Sequence, residues 1–463
     1  MRVLFVNLNN KLSQSEDFLV RLSEMQAINN LACMANIASQ EHHTVKIVDF
    51  DIENVDNSQL VQTASEYKPH AIVIHLEDEF VHENLKTVST LKAGYAGSKI
   101  IIHNNYLYHL SLSDLTQFDL DAVDVILREE PNDLLPKLLD CLFDNYPMKK
   151  ISNVKYKGED KRWRTTDSVF FQHLDAISTP YRKGLKNDLY KNVTNDAPLA
   201  IIKAGRGSTS ACIYESVAKI EGNKFRVRSP ESIAREIEYV RSEFGIKDFY
   251  LEIEAFNHDN DWAYDVAQEI RNTISDKISI ITRLNLKDLN QEVVEQLHFA
   301  GCHLVITNMG SAAEETVRRS KIGAKSDFYK NSLNILHHHG IKTYGIYRIG
   351  FPWEMKKHIE ETTKMMSDFA HTYLDFKILT PTIYSEAYEM LKEENLLGEK
   401  INDSTYSISG TKYLKKEEVE KLYKGFLSKY KLLKLIKKEK VNENPYALSE
   451  NDKKIKNKKR VQS

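Results

Sequence analysis

At 463 residues the chain is too long for one ordinary core and suits two domains plus an appendage. Its composition, 41% apolar and 28% charged, is that of a folded globular protein, and a formal net charge of −2 supplies no field to recruit nucleic acid or an anionic membrane. No apolar run reaches bilayer length, and the start, MRVLFVNLNN, lacks the basic region and long apolar core of a signal peptide. The four cysteines, Cys33, Cys141, Cys212 and Cys302, form no CxxC pair and no disulfide spacing, so a reducing cytoplasm is the expected compartment.

Residues 1–145 alternate short apolar runs, beginning near residues 2, 44, 70, 98 and 122, with amphipathic stretches. This rhythm predicts five parallel βα units in a doubly wound, Rossmann-like domain, whose ligands bind beyond the carboxyl ends of the strands. No GxGxxG follows the first run, which disfavours a nicotinamide cofactor. Residues 146–196 are polar, carry Pro147 and Pro180, and read as an ordered linker.

A second alternation fills 197–390, with strands expected at 198–204, 248–253, 277–282, 303–307, 342–349 and 373–379. Helices are expected near 230–243, 262–274, 290–299, 326–339 and 356–370. Ser229-Pro230-Glu231 sets a cap, a first-turn proline and an acid in order at the first of these helices. Six such units predict a partial (β/α)6 TIM barrel with its chemistry at the C-terminal strand ends. Residues 391–440 read as a helical extension with a solvated lysine face, and 441–463 as a basic disordered tail.

The informative stretch is IIKAGRGSTSACIYES (201–216), directly after the first strand of the second unit. It resembles the loop of the cobalamin-binding-domain radical SAM family, which usually reads RGCPxxCxFC. Laid over it, Arg206 and Gly207 match. Ser208, Cys212 and Glu215 take the three cysteine positions, and Tyr214 takes the aromatic one. Segments 171–185, 224–270, 282–306 and 338–362 resemble the family in the same order, so the resemblance is collinear to about residue 390.

It implies a flavodoxin-like cobalamin-binding domain ahead of the radical SAM barrel. It also implies a four-iron cluster held by thiolates, with S-adenosylmethionine and cobalamin as cofactors of methyl transfer or rearrangement. On that reading the metal positions are Ser208, Cys212 and Glu215. The cofactor positions are Arg206, Gly207, Tyr214, Arg283, Asn308, Gly310, Gly350 and Pro352. No catalytic residue is assigned.

The departures count against the cluster. Two of three thiolates are missing, and the acid of a GxES-like turn is gone from Asn308-Met309-Gly310-Ser311. A GxPGET turn reads Gly350-Phe351-Pro352-Trp353-Glu354-Met355. In the first domain Asn104-Asn105 replaces a Gly-Gly, Arg128-Glu129-Glu130-Pro131 replaces a GEGE-like turn, and no DxHxxG is present. Two further readings therefore stand beside the enzyme. One is a pseudoenzyme that binds an active paralogue, a peptide or a corrinoid; the other is a non-radical S-adenosylmethionine-dependent enzyme.

Each residue also has a plain structural reading. Cys212 suits a buried small hydrophobe, Glu215 a salt-bridged carboxylate, and Arg206 and Arg283 structural ion pairs. His337-His338-His339 would point in different directions on a helix. Glu252 and Glu254 would share one side of a strand, and Cys302 would only pack.

Overall fold

The computed structural model describes residues 1–8, 17–50, 52–128, 134–144, 146–322, 326–369 and 371–440. The expected tail 441–463 and Glu129, Glu130 and Pro131 lie outside them.

The first sheet is built from β1 (Arg2–Leu8), β2 (Thr44–Asp49), β3 (Ala71–Leu76), β4 (Lys99–His103) and β5 (Val125–Leu127). These pair in parallel in the order β2-β1-β3-β4-β5, the flavodoxin-like arrangement. Intervening helices are α1 (Phe18–Gln40), α2 (Asn57–Tyr67), α3 (Val81–Gly94), α4 (Asn105–His109) and α5 (Leu134–Phe143). Alternation along β1 explains the layering: Val3 and Phe5 face α1 and α5, whereas Leu4 and Val6 face α2 and α3. The stretch expected as a linker does more than connect. Its β6 (Val154–Lys157) and β7 (Trp163–Thr165) extend the first sheet antiparallel beyond β5.

The second sheet holds β8 (Leu199–Lys203). A two-residue ribbon follows from β9 (Gly205–Arg206) and β10 (Arg226–Val227), with the short α6 (Val217–Glu221) between them. Then come α7 (Pro230–Phe244), β11 (Asp248–Glu252), α8 (Asn260–Thr273), β12 (Ser279–Arg283) and α9 (Gln291–Phe299). They lead into β13 (Cys302–Gly310), α10 (Glu314–Ser320), α11 (Ser326–His338), β14 (Lys342–Ile349), α12 (Lys356–Asp368) and β15 (Tyr373–Ile378). The six long strands run parallel in chain order, β8-β11-β12-β13-β14-β15, an open six-unit barrel. Ser229 caps α7 through its hydroxyl with Pro230 in the first turn, as the Ser-Pro-Glu run predicts.

The barrel's concave face is filled by α1. Ile201, Tyr250, Ile281, Leu304 and Ile346 share one core with Leu22, Ile28, Leu31 and Met34 of that helix. Such a helix, apolar on more than one face, is stable only between two layers. The C-terminal part is not helical throughout. After α13 (Glu386–Glu393), a hairpin of β16 (Leu397–Lys400) and β17 (Tyr406–Ile408) precedes α14 (Lys416–Lys440). Helix α14 covers the edge strand β15, with Phe376 against Tyr423 and Phe426 at ring separations of 5.2 and 5.1 Å. No helix among the described residues is long and apolar enough to cross a membrane.

Candidate active site

The loop after β8 is shaped by one glycine. Gly207 sits at φ +82°, and a Cβ there would lie 2.2 Å from the Lys224 carbonyl oxygen. Arg206 is buried beside Glu221 at 3.9 Å, a structural pairing under the loop. Ser208 turns its hydroxyl inward to accept from the Ser210 amide at 3.0 Å, and the Ser210 hydroxyl accepts from the Cys212 amide at 3.2 Å. Burial, then the Glu215 charge, push the Cys212 thiol well above its usual pKa; the amides of Tyr214 and Glu215 ease this only in part. Burial in the packed loop thus favours the protonated form of the Cys212 thiol.

Glu215 is joined to the far side of the barrel mouth. Asn308, on β13, donates from Nδ2 to Glu215 Oε1 at 2.7 Å and accepts at Oδ1 from the Tyr214 hydroxyl at 2.8 Å. Burial and the neighbouring Glu254 charge raise the Glu215 pKa to about 7, against hydrogen bonds from Asn308 and Ser210 and the charge of Arg283. At the end of β12, Arg283 donates from Nε to the Tyr250 hydroxyl at 3.1 Å and pairs with Glu254 at 3.5 Å. Burial opposes its charge, but Tyr250, Glu254 and Glu215 outweigh it and strengthen its hold on the proton.

Above these residues lies a cavity of about 420 Å³, the size class of a small ligand. Ser208, Glu215, Arg283 and Asn308, all anticipated from the sequence, line it, as do Glu254 and Asn257. The other anticipated positions do not. Gly310 packs on Ile322. Gly350, at φ +90°, leaves room for Ile408 of the hairpin, and the Pro352 carbonyl accepts from the Lys412 amide. The bare backbone of that turn therefore approaches protein, not a ligand. Trp353 is buried against Phe351 and beneath Arg319, and Glu354 accepts from the amides of Gly350 and Phe351 at 2.7 and 3.2 Å.

A second cavity, about 450 Å³, opens between the domains. His75, Glu77 and Asp78 line it from the first sheet, Glu252 and Glu254 from the barrel, and Arg283 stands in the wall it shares with the first cavity. Glu252 is held by buried Lys203 at 2.6 Å. His75 and His103 touch through their Nδ1 atoms at 2.9 Å. Asn104 donates to the Leu76 carbonyl and to Asp78, both at 2.8 Å, and caps α4.

A strap from the C-terminal part crosses this cavity. Tyr384 donates to Asp78 at 3.1 Å, and Asp403 pairs with His82 at 2.7 Å. The sequence reading passed over His75, His103 and Asp78. Their signal was position, since each lies at or just past the carboxyl end of an expected strand.

The residues present do not fit a four-iron cluster. Only one of the three positions offers a thiol; one is a hydroxyl bound within its own turn, and one a carboxylate bound to Asn308. Among the described residues no three His, Cys, Asp or Glu side chains are grouped to hold a metal, the His337–His339 run included. A corrinoid suits the second cavity in its donor set, because Glu77 Oε1 and Glu252 Oε2 are buried acceptors without a hydrogen-bond donor, and corrin side chains are amides. At about 450 Å³ the cavity is the size of a smaller molecule than a corrinoid.

No protein-family model matches the chain. It is 24% identical over 375 residues to an uncharacterized methyltransferase of Pyrococcus horikoshii, covering 79% of each chain. It is 21% identical over 365 residues to the anaerobic magnesium-protoporphyrin IX monomethyl ester cyclase of Cereibacter sphaeroides, over 75% of this chain and 57% of that one.

Among solved structures, the radical S-adenosylmethionine methyltransferase TsrM of Kitasatospora setae, with cobalamin and a 4Fe-4S cluster bound, superposes at a TM-score of 0.69. Identity is 13% over 85% of this chain and 78% of that one. The cobalamin-dependent radical enzyme OxsB, with aqua-cobalamin and S-adenosylmethionine bound, gives 0.71 at 13% identity, over 89% of this chain and 64% of that one. The likeness runs through both domains, and the chain has the fold of cobalamin-dependent radical S-adenosylmethionine enzymes.

Proposed function

We propose that this protein binds S-adenosylmethionine in the barrel-mouth cavity without an iron–sulfur cluster and uses it in polar methyl transfer, not in reductive cleavage. The observation that carries this reading is that one thiol, Cys212, stands where three would be needed, while Ser208 and Glu215 in the other two places are bonded to protein groups. The cavity itself is retained, at the strand ends where this architecture does chemistry.

In a polar transfer the methyl leaves the sulfonium without its bonding electron pair, which stays on sulfur as S-adenosylhomocysteine forms. The incoming nucleophile supplies the new pair. The second cavity adjoins the first at Glu254 and Arg283, so a nucleophile there lies across one wall from the methyl donor. A corrinoid bound between the domains would supply a cobalt centre that accepts and passes on a methyl group. The chain's own residues orient the donor, keep the sulfonium near the carboxylate of Glu254, and exclude water by the strap over Asp78.

The test is calorimetric titration of aerobically prepared, iron-free protein with S-adenosylmethionine, followed by product analysis with and without cobalamin. Binding without iron, and S-adenosylhomocysteine as product, are expected. About four irons per chain after anaerobic reconstitution, with 5′-deoxyadenosine released under dithionite, would overturn the reading. Binding without any transfer would support instead a non-catalytic role beside a partner enzyme.

A further inference from the structure

The lining of the barrel-mouth cavity combines two kinds of chemistry. Glu215, in the loop after β8, and Arg283, at the end of β12, bring a carboxylate and a guanidinium to its wall. Phe225 and His258, in the same lining, lie ring against ring at 4.3 Å, beside Asn257, whose side-chain amide donates to the Asn285 carbonyl and accepts from the Asn285 backbone N–H, both at 2.8 Å. Opposite charges side by side suit a zwitterion, and an aromatic pair flanked by amides suits a heteroaromatic base.

We infer that Glu215 and Arg283 hold the amino-acid end of the ligand, Glu215 taking its α-ammonium and Arg283 its α-carboxylate, with Asn308 fixing the Glu215 rotamer. This rests on the reading that the cavity takes S-adenosylmethionine, and it replaces metal ligation of those two groups by direct ion pairs. Three observations converge on it. Glu215 Oε1 is anchored by Asn308 Nδ2 at 2.7 Å, so the carboxylate is already oriented before a ligand arrives. The bonds shown for Arg283 engage Nε and Nη1 of a five-donor fork, and its side chain reaches the cavity wall. Glu215, Glu254 and Arg283 together sum to one negative charge when both acids are ionised, which a sulfonium-bearing zwitterion neutralises. Lys321, also in the lining, stands with Glu386 at 2.8 Å and is not drawn on.

The experiment compares three probes on the full chain by calorimetry: S-adenosylmethionine, S-adenosylhomocysteine and 5′-methylthioadenosine, which lacks the amino-acid group. Wild type should bind the first two more tightly than the third, and Glu215→Gln should lose about tenfold to a hundredfold in affinity for the first two only. Should Glu215→Gln fold poorly, the wild-type ranking still decides, because 5′-methylthioadenosine binding as tightly as S-adenosylmethionine overturns the inference. That outcome leaves the proposed function standing, since the nucleoside still occupies the cavity. If none of the three probes binds wild type, the proposed function falls as well.

Discussion

Asn308 bridges Tyr214 and Glu215, accepting from the Tyr214 hydroxyl at 2.8 Å and donating to the Glu215 carboxylate at 2.7 Å. One amide thus ties the end of β13 to the loop after β8, and it uses both of its faces to do so. Glu215 stands where the third thiolate would be, and Gly310 where the GxES-like turn has its acid; Asn308, two residues before Gly310, is the group that bonds Glu215. The loop is thereby tied to β13 through protein groups alone.

Thiolates restored at the two altered positions should reverse this. The double variant Ser208→Cys and Glu215→Cys recreates CxxxCxxC with Cys212, and after anaerobic reconstitution it should hold about four irons per chain. Wild type should hold none in stoichiometric amount. Iron and sulfide analysis with the visible absorption of the cluster reads the result.

Glu354 should make stability depend on pH. Burial first, opposed by bonds from Gly350, Phe351, Thr316 and Ser311, raises its pKa to about 7 from the ordinary 4.5. Folding therefore favours its protonated form. Its contribution is complete below about pH 4.5 and is lost as pH rises through about 7, on the order of 3 kcal/mol over that window. Urea melts between pH 5 and 8 should show a shallower decline for Glu354→Gln than for wild type.

Gly207→Ala should cost about 3 kcal/mol or more, through both the positive φ and the collision with the Lys224 carbonyl. Thermal melting checks this. Gly245→Ala gives the comparison, because its φ is also positive but nothing lies within 4 Å.

Lys203→Met should be among the most damaging single changes in the barrel, by about 3–5 kcal/mol, because Glu252 would stay buried without its cation. Adding Glu252→Gln should recover much of the loss. A double-mutant cycle measured by denaturant unfolding separates the pair from either residue alone.

The strap should loosen when its two anchors are removed. Tyr384→Phe with Asp403→Ala deletes the bonds to Asp78 and His82, and amide exchange near residues 382–405 should quicken while the barrel core stays protected. Cobalamin should bind this variant faster than wild type. Unchanged exchange would mean that hairpin packing alone, through Ile408 on Gly350, holds the strap.

Much of this architecture was legible in the sequence, because apolar runs of strand length alternating with amphipathic helices admit few arrangements. Both parallel sheets follow from that pattern. Strands β6 and β7 were not legible. Lys155, Lys157 and Arg164 give them a polar face, and only pairing with β5 makes strands of them. The β16–β17 hairpin was hidden for a similar reason, its residues being mostly half exposed.

At the site, Ser208, Glu215, Arg283 and Asn308 were legible by motif alignment. Motif alignment placed Gly350 and Pro352 near a ligand as well. The hairpin that fills their groove lies some fifty residues away along the chain, beyond what any local pattern can report.

Arg283 belongs to the walls of both cavities, clasped between Tyr250 and Glu254. One guanidinium cannot satisfy an anion on each side at full strength. An anionic group that draws it toward the barrel mouth withdraws it from the interdomain space, and the reverse holds with the same free energy. Anions in the two chambers would therefore be coupled through a single side chain, and the order in which they arrive would not change the total binding energy they share.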